Sequence, residues 1–220
     1  KVPAVMPDIE LKNVSFSYDG KKNVLNNVNL HIKPGEKIAL VGHNGAGKTT
    51  IVKLLLRFYD PGSGIVSLNG SDVKKYKVSQ YRKLFATVFQ NYKVFSMSAL
   101  KNVLLKGNIT EEERDEAIVG MQNSGIYDKI MSLPNKEDTV LTREFDEHGT
   151  VFSGGENQKI AISRIFTKPC KVVIMDEPSS ALDPIAEYKM YEAMMKACEN
   201  KSVVYISHRL SSAVLADRIY

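Results

Sequence analysis

Gly42-His43-Asn44-Gly45-Ala46-Gly47-Lys48-Thr49 reads G-x-x-x-x-G-K-T. Glycines at that spacing let backbone N–H groups approach anionic oxygens closely, and a lysine at the end adds a positive point charge. The N–H groups of residues 44 to 49 are expected to cradle phosphates. Lys48 should reach the β and γ oxygens, and the Thr49 hydroxyl should bind Mg2+. A second carboxylate contact for that metal is offered by Asp176, which ends the apolar run Val172-Val173-Ile174-Met175. Glu177 follows, placed to orient and polarise an attacking water. Ser153-Gly154-Gly155 then opens a helix-like run. That is a further place where N–H groups at a helix start could meet an anion.

These residues need a strand–loop–helix frame, and the sequence supplies one. "KIALVG" (37–42) is a short apolar strand, and "KTTIVKLLLRF" after the loop suits a buried helix. "IELKNVSFSY" (9–18) and "VLNNVNLHI" (24–32) largely alternate apolar and polar residues around Asp19-Gly20, as antiparallel or adjacent edge strands do. "PGSGIVSLNG" (61–70) is a brief strand between turn residues. From about Asn91 to Thr167 helical signals dominate, including a capping box of Thr110 with Glu113. "KVVIMDEP" restores the strand pattern, a helix runs from Pro184 to Ala197, and "SVVYIS" (202–207) is another buried strand. The fold class is α/β: a P-loop core with a mainly parallel sheet, an antiparallel β subdomain at the N-terminus and an inserted α-helical subdomain at about 91–167.

The 220 residues carry 30 basic and 25 acidic side chains, a net charge of +5 without a long basic tract. This reads as a well-solvated surface rather than a nucleic-acid footprint. Cys170 and Cys198 are too few for a disulfide framework or a zinc site, and both read as core fillers in a reducing compartment. His31 and His148 read as surface residues, and Met190, Met194 and Met195 as core or interface filler. No run approaches 18 consecutive apolar residues. Residues 1–7, with Pro3 and Pro7, read as a linker within a longer polypeptide. "NKED" (135–138) and "DEHG" (146–149) match guanine-nucleotide patterns, but their order is reversed and no strand precedes the first, so they are chance matches.

Ser153 lies 105 residues beyond Lys48, on the helical insert. One small domain does not easily fold both glycine sites onto one nucleotide. Two copies meeting head to tail would let each Ser-Gly-Gly face the other's γ-phosphate.

With these landmarks in this order, the chain resembles the nucleotide-binding domain of an ATP-binding cassette (ABC) exporter from about residue 8 to residue 220. The resemblance implies an ATPase with ATP and Mg2+ as its cofactors. Its nucleotide set is Tyr18, stacked on adenine, with Gly42, His43, Asn44, Gly45, Ala46, Gly47, Lys48, Thr49 and Thr50. His43 lines the site without doing chemistry. The implied metal contacts are Thr49, Gln90 and Asp176, and the catalytic residues are Glu177, His208, Gln90 and Lys48. Ser153, Gly154, Gly155 and Glu156 form the signature that meets the partner's nucleotide, and Ser180, Ala181, Leu182 and Asp183 form a loop across the dimer interface. Glu147 falls where exporters contact their transmembrane part, with Asp146 in place of the usual glycine. The signature reads "FSGGE" rather than "LSGGQ", which puts a charge near the interface.

The partners so implied are a second nucleotide-binding domain and a transmembrane domain. The location implied is the cytoplasmic side of the cell membrane, and no nucleic acid is expected. Two alternatives stand: a soluble ABC ATPase acting on nucleic acid, or a nucleotide-gated regulatory module. Against the first, 105 residues leave no room for the long coiled coil of repair-type relatives. Intact Glu177 argues against the second.

Overall fold

A computed structural model of the chain describes residues 5–177, 184–207 and 210–220. The chain divides into two compact units. The first takes in Lys1–Thr87, Cys170–Glu177 and Cys198–Tyr220, and the second Val88–Pro169 and Pro178–Ala197.

In the first unit, β1 (Ile9–Phe16) pairs antiparallel with β2 (Leu25–Ile32). Their alternation buries one face, with Ile9, Leu11, Leu30 and Ile32 almost wholly enclosed. β3 (Lys37–Leu40) leads through the glycine loop into α1 (Lys48–Leu55). β4 (Ser63–Leu68) lies antiparallel on the other side of β1, and the two-residue β5 (Ser71–Asp72) completes a four-stranded sheet of order β2-β1-β4-β5. Both β1 ladders shift register around Asn13, which adopts a left-handed φ of 49° that asparagine tolerates. The short helix α2 (Val78–Arg82) precedes β6 (Phe85–Val88).

The second sheet has the order β6-β7-β8-β3-β9, with β7 (Val172–Asp176), β8 (Ser202–Ile206) and β9 (Arg218–Ile219). The β7–β8, β8–β3 and β3–β9 pairs all run parallel. β7 and β8 are buried along their whole length, which is why they read as continuous apolar runs rather than alternating ones. Thr49, at the start of α1, and Asp176, at the end of β7, therefore meet at the C-terminal side of this sheet, where parallel α/β folds build their sites.

The second unit is helical, with α3 (Ala99–Leu104), α4 (Glu111–Ser124), α5 (Tyr127–Met131), α6 (Gly154–Ser163) and α7 (Pro184–Ala197). Its core joins Leu100, Val103, Met121, Ile130, Phe152 and Ile160. The capping box at Thr110 and Glu113 is present in both directions, and α4 ends on Gly125 in the left-handed region. Among the described residues no helix is long and apolar enough to cross a membrane.

Two expectations need correction. Cys198 is buried and its thiol is pushed up to about 11 by desolvation, but Cys170 is only half-buried, because it precedes β7 rather than packing inside it. His31 is not a free surface residue: its Nε2 is 2.7 Å from the Asp8 carboxylate, and its side chain is half-buried.

Candidate functional site: a phosphate loop with its metal contacts

The turn into α1 is made by Gly47, at a φ of 94°. A Cβ there would lie 2.6 Å from Leu25 Cδ2 and 3.3 Å from the Val24 carbonyl, so both conformation and space require glycine. No side chain caps α1, which leaves first-turn N–H groups for an anion at the positive end of the helix. The loop uses one of its own expected donors internally, since the Ala46 N–H bonds the His43 carbonyl at 3.2 Å. Lys48 is almost buried. Its ammonium donates to the carbonyls of Gly42 at 2.7 Å and His43 at 3.0 Å, which hold the charge beside the loop. The His43 imidazole is exposed, with Nδ1 2.9 Å from the Asn44 carbonyl, and only the backbone carbonyl of His43 takes part in that clamp.

Thr49 Oγ1 donates to Asp176 Oδ1 at 3.2 Å, joining residues 127 positions apart in sequence. The Asp176 carboxyl is pushed above its ordinary range, chiefly by burial and also by the neighbouring Glu177 charge. The Thr49 hydrogen bond and Lys48 oppose that rise. Two hard oxygen donors beside a phosphate loop form a set that fits Mg2+. Glu177 follows at a φ of 49°, a left-handed backbone uncommon for a residue with a side chain. Strain of this kind concentrates at functional positions.

Tyr18 stands on an aromatic platform that the sequence reading did not find. Its ring meets Phe16 edge-to-face at 4.9 Å and Tyr59 at 5.2 Å. The Lys53 ammonium lies 5.3 Å from the ring centroid, and the phenol shares a 3.1 Å hydrogen bond with Thr50 Oγ1. The Tyr18 side chain is thus tied to α1, one residue past Thr49. A signal existed in sequence: Lys53 lies within the helical run after the loop and Tyr59 directly follows it, but neither points to Tyr18 by spacing alone.

In the second unit, Ser153 is the N-cap of α6. The Glu156 N–H donates to Ser153 Oγ at 3.3 Å, and the Ser153 N–H donates to Glu156 Oε2 at 2.8 Å. The sequence treats this helix start as open, but the box engages two of its N–H groups. It does not engage those of Gly154 and Gly155. The Glu156 carboxylate is folded back on its own helix, held below its usual range first by the Ser153 N–H, with Lys129 Nζ 3.5 Å away. That explains how a glutamate is accommodated at this position. Tyr92 donates from its hydroxyl to the Gly154 carbonyl at 3.1 Å, fixing the turn further.

Gln90 is exposed in the turn after β6, in the second unit, and Glu147 is exposed in a turn where the His148 N–H bonds Asp146 Oδ1. Gly149, two residues on, could not carry a side chain, since its Cβ would fall 1.8 Å from the Thr142 carbonyl. Ser180, Ala181, Leu182, Asp183 and His208 lie outside the described residues. The structure brings together Tyr18, the 42–50 loop, Asp176 and Glu177 within one unit, and Ser153 to Glu156 within the other.

A parallel sheet with a lysine-bearing glycine loop after β3, and an aspartate at the end of β7, the next strand but one, defines a P-loop nucleotide-binding domain. The family model described as "ABC transporter" matches residues 25–180, and the chain belongs to that family. It is 38% identical over 215 residues to the "ATP-dependent lipid A-core flippase" of Vibrio cholerae, covering 96% of this chain and 36% of the flippase. It is 36% identical over 222 residues to human "ATP-binding cassette sub-family B member 5", covering all of this chain and 17% of that protein. Its fold matches the "Structure of a bacterial Atm1-family ABC exporter with ATP bound" with a TM-score of 0.87 and 29% identity. That match covers 99% of this chain and 38% of the exporter chain. The chain therefore spans between about a sixth and two fifths of the length of these relatives, and corresponds to the nucleotide-binding domain of an ABC exporter.

Proposed function

We propose that this domain binds MgATP and hydrolyses it, pairing head to tail with a second nucleotide-binding domain to drive a transmembrane domain on the cytoplasmic side of a membrane. The observation that carries the reading is the Thr49–Asp176 contact, with Lys48 clamped beside the same loop. Exporter relatives, named as a lipid flippase and as an ATP-bound exporter, support the transport half of it.

In this reading the adenine stacks on Tyr18, whose ring is already braced by Phe16, Tyr59 and Lys53. The 42–50 loop and the first turn of α1 hold the phosphates, and Lys48 turns its ammonium from loop carbonyls to the β and γ oxygens. Thr49 and Asp176 would hold Mg2+, with Gln90 as a further contact. When bound, the metal neutralises charge on the β and γ oxygens. Glu177 orients the attacking water and accepts its proton, and His208 steadies the γ-phosphate. Ser153 to Glu156 serve the nucleotide of the partner domain, and Ser180 to Asp183 cross the interface between the two.

The test is the mass of Glu177→Gln protein by light scattering, with and without MgATP. A monomer-to-dimer change on adding MgATP, abolished by Ser153→Arg, is expected. Protein that has bound ATP and stays monomeric would refute the paired arrangement for this chain. Hydrolysis by Glu177→Gln at the wild-type rate would remove Glu177 from its role.

A further inference from the structure

Within the second unit a cavity of about 500 Å³ opens between the C-terminal end of α4, the first half of α6 and the middle of α7. Its volume falls in the range of small-molecule sites. Ile162, Met190, Ala193 and Met194 give it a largely apolar wall, and thioethers adapt readily to the shape of an occupant.

One polar side chain in that wall stands out. Gln158 is 1% exposed, and among the described residues its Oε1 has no hydrogen-bond partner. Among those residues its Nε2 has only the Met190 sulfur, at 3.7 Å, and a thioether is a weak acceptor. Turning the amide over exchanges its two ends without supplying a partner for the other. A buried amide left in this condition costs free energy, and such groups are rare in folded proteins. A carboxamide between an apolar cavity and a sulfur is suited to a ligand that brings the missing hydrogen bond.

We propose that this cavity binds a compact, flat, apolar molecule carrying one N–H or O–H donor, and that a small turn of the Gln158 amide presents its oxygen to that donor. None of its lining residues belongs to the 42–50 loop. Ser153 and Gly155 also line the cavity, so an occupant touches the helix start that carries them.

Indole has the required body and one N–H, and 1-methylindole has the same body without it. Each is titrated into the full 220-residue chain, labelled with nitrogen-15, and followed by amide chemical shifts. Indole is expected to give saturable shifts at Gly155, at Ala193 and Met194, and at the side-chain amide of Gln158. 1-Methylindole is expected to bind about tenfold more weakly, the worth of one hydrogen bond. Ala193→Phe fills the cavity from its mouth and is expected to abolish the indole shifts while leaving ATP binding intact. Indole shifts that are absent, or centred on Tyr18, overturn the proposal from the wild-type data alone. Equal binding of the two indoles overturns recognition by Gln158. Binding that survives in folded Ala193→Phe protein overturns the placement.

Discussion

The capping box at the start of α6 separates stability from activity in a measurable way. Its two hydrogen bonds are unequal. The bond that Ser153 Oγ accepts from the Glu156 N–H is long, at 3.3 Å, whereas the bond that the Glu156 carboxylate accepts from the Ser153 N–H is 2.8 Å and charged. Ser153→Ala removes only the first and should cost about 0.5 kcal/mol, the low end for a lost cap. Glu156→Ala removes the second and the Lys129 pairing. Charged hydrogen bonds contribute about 1.5–3 kcal/mol when buried. Partial exposure and screening reduce this case to about 1 kcal/mol.

In urea unfolding followed by circular dichroism, Glu156→Ala should therefore shift the midpoint about twice as far as Ser153→Ala. ATP turnover should rank the other way, because in the proposed pairing Ser153 serves the partner's nucleotide, whereas the Glu156 carboxylate is folded back on its own helix. The sign with pH follows from the Glu156 carboxyl being held below its ordinary value of 4.5, first by the Ser153 N–H. Its stabilisation is fully present above that value and disappears as pH falls through the lower folded-state value. The midpoint difference between wild type and Glu156→Gln should shrink over that acid interval and nowhere else. If Ser153→Ala proves the more destabilising variant, or if both variants rank alike in stability and turnover, the reasoning fails.

Gly47→Ala should lower both the melting temperature and ATP affinity. Adding Leu25→Ala should not restore them, because it removes the 2.6 Å contact but not the left-handed backbone; full recovery in thermal melts and nucleotide titrations would show that only the contact mattered. Tyr18→Ala should weaken ATP binding about tenfold or more, the worth of one stacked base at about 1–3 kcal/mol. Tyr18→Phe keeps the platform, loses only the phenol's hydrogen bonds to Thr50 and Lys53, and should weaken it far less. Equal losses in calorimetric titrations would mean that the base does not stack there.

Much of the frame was legible because each signal was local. The capping box at Thr110 and the stop at Asp176 depend on residues within a few positions of one another. The strands at 37–42, 172–176 and 202–207 announced themselves by continuous apolar runs. β6 was not recognised as a strand, because its four residues, Phe-Ala-Thr-Val, are too few to show a period. β5 and β9 have two residues each and exist only through their partners. In the site, loop and carboxylates were readable from spacing, but the bracing of Tyr18 was not. Tyr59 and Lys53 reach it through the fold, from 41 and 35 positions away. Glu156 shows the opposite limit: its charge was plain in the sequence, and its partner, the N–H three residues back, shows that the charge is spent within the helix.

The left-handed backbone at Glu177 bears on how such a domain would respond to selection for heat resistance. A glycine there would release about 1 kcal/mol of conformational strain and so raise the melting temperature. It would also delete the carboxylate. With Glu177 in the role proposed for it, a library screened only for survival at high temperature would enrich sluggish variants at this codon, and the screen would need a turnover step to keep the glutamate.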